Sequence, residues 1–161
     1  MNLTLIAAVS ENNVIGIDGK VPWYIPEDIK RFKELTLNHP VIMGRKTYQS
    51  IPNRFRPLEK RKNIVLSKNF VSEGEIYVAR GLEEALDLTD YADSFIIGGA
   101  SIYKIFLPFT SKIELTRVHE DYEGDAFFPD VDWNEWSLVN QERNTSHNGI
   151  DYSFLSYERK R

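Results

Sequence analysis

The chain has 161 residues, 42% of them hydrophobic and 27% charged, with a net charge of −4. That length suits one domain, residues 1–161, with a core that needs no covalent staples. The absence of cysteine rules out disulfides, iron–sulfur clusters and thiolate zinc sites. The first apolar run, Leu3 to Val9, is too short for a membrane span and lacks the basic start of a signal peptide, which points to a cytoplasmic protein.

In chain order, Leu3 to Val9 reads as a buried strand, and Glu11 to Lys20 as a loop rich in Gly and Asn. Pro26 opens a helix that runs to about Leu37, its fixed φ and missing N–H suiting the first helical position. Pro40 to Met43 is a short buried strand, Arg45 to Ser50 a short helix, Asn63 to Ser67 and Ile76 to Val78 further strands. Leu82 to Leu88 is a helix, Ser94 to Ile97 a strand, and Ser101 to Leu107 a helix stopped by Pro108. Continuous apolar strands alternating with helices predict an α/β fold, a mostly parallel sheet of about eight strands covered on both faces. The last third alternates polar with apolar over Lys112–Val118 and Asp151–Tyr157, with Trp136–Val139 between them. These are expected to be antiparallel strands extending one edge. Arg159 to Arg161 reads as a solvated tail.

Three features carry chemistry. Helical spacing puts Ile25, Asp28, Phe32 and Leu35 on one stripe, flanked by Ile29, so Asp28 interrupts an apolar face. Taken alone, Asp28 either complements the helix dipole, as Glu27 does, or serves a pocket in which it must find a hydrogen-bonding partner or take up a proton. Second, two strands run into helices through glycine, at Val41-Ile42-Met43-Gly44 and Phe95-Ile96-Ile97-Gly98-Gly99. Such junctions are either plain turns or places where open N–H groups meet a phosphate. Neither has the Gly-x-Gly-x-x-Gly spacing of the usual dinucleotide fingerprint. Third, eight basic residues face one acid between Arg45 and Lys68, a local +7 inside a chain of net −4. A focused field of that kind suits a small anion better than a nucleic acid. His39, His119 and His147 lack metal-ligand spacing, so no metal site is expected.

The ordered motifs Ile6-Ala7-Ala8, Ile15-Gly16, Pro22-Trp23, Pro26-Glu27-Asp28, Phe32-Lys33, Pro40 to Thr47, Arg61 to Ser67, Ile97-Gly98-Gly99, Tyr103, Leu115-Thr116 and Glu123-Gly124-Asp125 span nearly the whole chain. Together they resemble dihydrofolate reductase of the bacterial type. The resemblance implies reduction of 7,8-dihydrofolate to tetrahydrofolate with NADPH as cofactor, binding of antifolate inhibitors, and a monomer that engages neither nucleic acid nor membrane. It implies that Asp28 and Thr116 bind the pterin and, with Trp23, form the catalytic group. Ile6, Ala8, Ile29, Phe32, Ile51 and Leu58 would surround the substrate, and Arg61 would hold its glutamate tail. Gly98, Gly99 and the following Ala100, Ser101 and Ile102 would receive the pyrophosphate, with a cis bond between the glycines and Ile97 before them. Gly44, Arg45, Lys46 and Thr47, with Leu66, Ser67 and Lys68, would hold the remaining phosphates and the adenosine. Ala8, Ile15 and Tyr103 would flank the nicotinamide, Gly16 would also bind the cofactor, and a mobile lid from Gly16 to Trp23 would be braced by Gly124-Asp125. Riboflavin-pathway pyrimidine reductases, which resemble this pattern, and a non-catalytic folate- or nucleotide-binding protein are the alternatives. The chain departs from the family at Pro52–Phe55, which lengthens a loop, at Glu59-Lys60, and at Ser101 and Ala126.

Overall fold

A computed structural model describes residues 1–71 and 74–161. An eight-stranded sheet has the order β5-β4-β3-β6-β1-β7-β10-β9. Its strands are β1 (Leu3–Ser10), β3 (Val41–Gly44), β4 (Asn63–Leu66), β5 (Tyr77–Ala79), β6 (Ser94–Gly98), β7 (Lys112–Val118), β9 (Trp136–Thr145) and β10 (Asp151–Arg159). A separate ribbon pairs β2 (Val14–Gly16) with β8 (Ala126–Phe127). The helices are α1 (Pro26–Thr36), α2 (Arg45–Ser50), α3 (Leu82–Leu88) and α4 (Ala100–Phe106). None of the described helices is long and apolar enough to cross a membrane.

Alternation along the strands decides what each face meets. Leu3, Leu5, Ala7 and Val9 of β1 pack with Ile96, Ile113 and Leu115 against Ala85 of α3 and Ile102 and Phe106 of α4. A second apolar cluster gathers Val41, Met43 and Val65 with Tyr48 of α2. A third, smaller one joins Ile25 at the start of α1 to Val118 and Tyr152. Helix α1 itself buries little: Thr36 is its one buried residue, and Ile29 is 57% exposed. Of the stripe, Ile25 is buried in the third cluster while Asp28 and Phe32 face an open cleft, and Ile29 turns to solvent.

Strand direction differs from expectation at β7. It pairs parallel with β1 and antiparallel with β10, so β10 alone runs against the rest of the sheet. Alternation in β7 arises because Glu114 and Thr116 face α1, where Arg31 and Asp28 hydrogen-bond to them, and not because that face meets water. Strand β9 extends to Thr145, well past Val139, since its polar second half is held by backbone pairing with β10. The Glu11–Lys20 loop contains β2, too short to show a period, and β5 begins one residue later than expected.

The supposed tail is an anchor. Arg159 donates from Nε to Thr110 O at 2.9 Å and from Nη2 to Leu107 O at 2.8 Å. Its guanidinium also lies 4.3 Å from the Trp136 ring centroid and pairs with Glu135 at 3.3 Å. Arg159→Ala should lower unfolding free energy by roughly 1.5–3 kcal/mol, the cost of removing a charged donor from part-buried carbonyls. Arg161→Ala should change it by less than about 0.5 kcal/mol, as at an exposed position without such partners. Urea denaturation of the two variants checks the contrast.

Candidate active site

The C-terminal ends of β1, β3 and β6 open into a cleft of about 990 Å³. Ligand crevices lie at this end of open parallel sheets. One wall is α1, which contributes Asp28, Arg31 and Phe32; Thr116 of β7 and Ile6 and Ala8 of β1 form the floor. The opposite wall comes from the two glycine junctions: Gly44, Arg45, Lys46 and Thr47 at one, and Ile97, Gly98 and Gly99 leading into Ala100, Ser101, Ile102 and Tyr103 at the other. Leu66 lies between them, and Ile15 and Gly16 close the top.

Asp28 enters the cleft from the first turn of α1. Thr116 donates its hydroxyl to Asp28 Oδ1 at 2.6 Å. Burial pushes the Asp28 carboxyl above its ordinary value, and the Thr116 hydrogen bond and the Arg31 charge oppose that rise. Desolvation wins, so this carboxylate is poorly satisfied by the protein alone and is suited to a ligand that brings its own donors. Tyr103, also buried, donates to Ile6 O at 2.7 Å, and burial together with the Asp28 charge raises its phenol well beyond the usual range. It stays a neutral donor.

The two helix starts facing each other are built for anions. Neither α2 nor α4 has a side-chain cap, which leaves their first N–H groups open. The Gly98–Gly99 bond is cis. Gly98 has φ 117°, and a Cβ there would meet the Tyr103 hydroxyl at 3.2 Å. A Cβ on Gly99 would stand in the gap 3.6 Å from Thr47 Oγ1, so its absence keeps the space between the helices open. Arg45 and Lys46 add exposed positive charge to the same space. Phosphates fit these donors.

Arg45 also lines an adjoining depression with Ser67, Asn69, Phe70 and Val71. Ser67 Oγ accepts there from the backbone N–H groups of Asn69 and Phe70, which leaves its proton free to donate outward. Lys68 is exposed and lines neither hollow.

Several predicted site residues lie outside the cleft lining. Trp23 packs with the Ile25 cluster and edge-on to Tyr122 at 5.0 Å. Ile51 and Leu58 join the cluster around Tyr48, and Ile29 is turned outward. Arg61 donates to Glu59 O and, at 3.1 Å, to Thr36 Oγ1 at the far end of α1. Lys62 points elsewhere, to Asp90 and the Tyr77 ring. Much of the basic segment between is structural: Arg56 donates to Gln49 O and to Asn53 Oδ1. Asn63, 1% exposed, staples the lengthened loop by exchanging hydrogen bonds with Leu58.

Sequence reasoning missed Arg31 and Ser50 as cleft residues and took Lys20 and Val21 only as part of the segment from Gly16 to Trp23. Lys20 follows a tight turn in which Asp18 and Gly19 both have positive φ, and Ile17 and Lys20 exchange backbone hydrogen bonds. The Asp18-Gly19 pair was the available signal. Asp125 ties this turn down, donating its N–H to Gly16 O and accepting at Oδ2 from Asp18 N. That bracing makes no use of a hydroxyl at position 126. The His119 ring bridges Glu11 and Ser153 and the His39 ring meets Asp93 O, and no metal-binding cluster occurs among the described residues.

Comparison with known proteins agrees with this geometry. The sequence model of the family described as dihydrofolate reductase matches residues 2–159. Dihydrofolate reductase of Bacillus subtilis is 40% identical over 98% of this chain and 95% of its own length. That of Buchnera aphidicola is 43% identical over 96% and 97%. A solved structure, dihydrofolate reductase from Enterococcus faecalis complexed with NADP(H) and RAB-propyl, superposes with a TM-score of 0.91 at 33% identity, covering 99% of this chain and 97% of that one. Relatives this similar over their whole length, on a chain whose cleft pairs a desolvated carboxylate with two open helix starts, show that it belongs to the dihydrofolate reductase family.

Proposed function

We propose that the chain reduces 7,8-dihydrofolate to 5,6,7,8-tetrahydrofolate, using NADPH, as a single-domain monomer in the cytoplasm. The observation that carries this reading is the Asp28–Thr116 pair, set in the same cleft as the two glycine junctions. Bound NADPH supplies the hydride that reaches C6 of the pterin. The chain's own residues bind, orient and polarise. Asp28 accepts hydrogen bonds from the pterin's amino group and adjacent ring N–H, while Thr116, already donating to Oδ1, fixes the carboxylate's orientation. Phe32 and Ile6 pack on the ring and keep bulk water from it. Among the described residues the other acid in the cleft lining is Asp125, whose carboxylate accepts from Asp18 N, so the N5 proton arrives through water polarised by Asp28. Open N–H groups at Gly99–Ser101 hold the pyrophosphate, and Arg45 and Ser67 hold the 2′-phosphate. Arg61 takes the glutamate tail at the rim, and the same cleft receives antifolates. Spectrophotometric oxidation of NADPH that depends on added dihydrofolate tests the reading; oxidation indifferent to dihydrofolate overturns it.

Asp28→Asn keeps the shape and loses the charge. Turnover at pH 7 should fall by about a hundredfold or more, as expected when a desolvated charged partner worth ~3 kcal/mol is removed. The loss should shrink at acid pH, where the substrate protonates more readily. Stability should move the opposite way. Since the folded-state pKa of Asp28 is raised, the native protein binds more protons than the unfolded chain above the ordinary aspartate value. Its contribution is therefore full below that value and is lost as pH rises through the folded pKa. Asp28→Asn should thus melt higher than the wild type at pH 7, and lose that advantage at low pH; parallel thermal melts check the sign.

Cofactor choice should rest on Arg45. Arg45→Ala should weaken NADPH by roughly tenfold to a hundredfold, ~1.4–2.8 kcal/mol, while changing NADH by no more than about twofold. Fluorescence titration with both cofactors measures the ratio, and equal losses would reassign Arg45 to the shared pyrophosphate.

A further inference from the structure

Helix α1 meets strand β7 through two polar rungs. Asp28 and Arg31 are three residues apart on the helix, about 4.5 Å along its axis. Glu114 and Thr116 are two apart on the strand, about 6.6 Å, and face the same side. Thr116 donates to Asp28 at 2.6 Å, and Arg31 Nη2 donates to Glu114 Oε2 at 3.0 Å. The second rung is sheltered, with side-chain exposures of 22% for Arg31 and 19% for Glu114. Strand β10 completes it from below. Ser156, directly across from Glu114, donates to the same Oε2 at 2.6 Å. Phe154, directly across from Thr116, lies under the Arg31 guanidinium at 4.3 Å from its ring centroid. Arg31 lines the cleft, yet its hydrogen bond and its stacking are both turned toward the sheet.

We propose that the Arg31–Glu114 pair is a positioning device for Asp28: Glu114, Ser156 and Phe154 hold the guanidinium at a fixed place beside the carboxylate, so Arg31 acts on the reaction through Asp28. The charged and titratable groups around Asp28 come from four elements. Glu27 and Arg31 share its helix, Tyr152 acts from β10 and Tyr103 from α4, and Glu114 stands on β7 two residues before Thr116, in contact with Arg31. Arg31 is the one cation in that set. Glu114 restrains it in two senses, by fixing its position and by offsetting its charge. The arrangement predicts opposite signs for the two halves of the pair. Without Arg31, Asp28 loses an attraction and gains an uncompensated neighbour of like charge. Without the Glu114 charge, that repulsion vanishes and the pull of Arg31 is no longer offset. A role limited to packing has no such asymmetry.

The test is a carboxyl carbon-13 titration of Asp28 in the full chain without ligands, its signal identified by its absence from Asp28→Asn. Relative to wild type, Arg31→Met should raise the Asp28 midpoint by roughly half a pH unit or more, and Glu114→Gln should lower it by a similar amount. Arg31→Lys, which keeps the charge, should return it close to wild type. Glutamine at 114 retains an oxygen for both donors, so the sign of its displacement decides even if Arg31→Met does not fold. Displacements in the same direction, or none, overturn the proposal. It deepens the reductase reading and rests on it for one arm only, the pH profile of dihydrofolate-dependent kcat/KM, whose Asp28 limb should follow each titration. A profile that stays in place while the titrations move overturns the catalytic half of the proposal. Absence of dihydrofolate-dependent oxidation in the wild type overturns the reductase reading alone.

Discussion

A carboxylate kept short of solvent is the constraint on which the rest of this structure depends. Asp28 has one strong protein partner, the Thr116 hydroxyl, and burial outweighs that partner's help. Such a group is unfavourable in the empty protein, and it persists only where surrounding elements give it no escape. Here α1 is fixed at its start by Ile25 in an apolar cluster and at its end by Thr36, whose hydroxyl donates to Phe32 O and accepts from Arg61. The helix cannot roll Asp28 into water without breaking one of these attachments.

The sheet supplies the other side of the arrangement through its order. Placing β1 between β6 and β7 brings the Gly98–Gly99 junction and the Thr116 floor to either side of one strand. Hydrophobic packing of Leu5, Val9, Ile96 and Leu115 holds these strands, all four side chains being fully buried. The polar groups that face the cleft thus stand on strands packed into the core. Charge is distributed unevenly: Asp28 lies on the α1 side with Arg31, whose charge Glu114 offsets, and the basic residues Arg45 and Lys46 lie on the other. An elongated ligand with a cationic or donor-rich end and a phosphate end is oriented by that field before it makes contact.

How much of this was legible beforehand follows from how local each signal is. Asp28 stood out because it broke a helical stripe, and the glycine junctions because a strand, a glycine and basic residues occur within a few positions. The direction of β7 was misread because alternation ordinarily means a wet face, whereas Glu114 and Thr116 are met by Arg31 and Asp28 from 83 and 88 residues away in sequence. Nothing near Arg31 in sequence announces Glu114 or Phe154. Arg159 was hidden for the same reason, since its carbonyl partners lie about 50 residues earlier. A residue whose role depends on distant backbone, such as Arg159, carries no periodicity to read.

The Asp18-Gly19 turn bears on the entropy of recognition. A lid of loose chain loses conformational freedom when it settles over a ligand, at about 1–2 kcal/mol for each residue whose backbone becomes fixed. In this chain the reciprocal Ile17–Lys20 hydrogen bonds and the two Asp125 contacts already fix the backbone of the turn. Its residues have little freedom left to surrender. Binding free energy that another loop would lose to ordering remains available here to the contacts made inside the cleft.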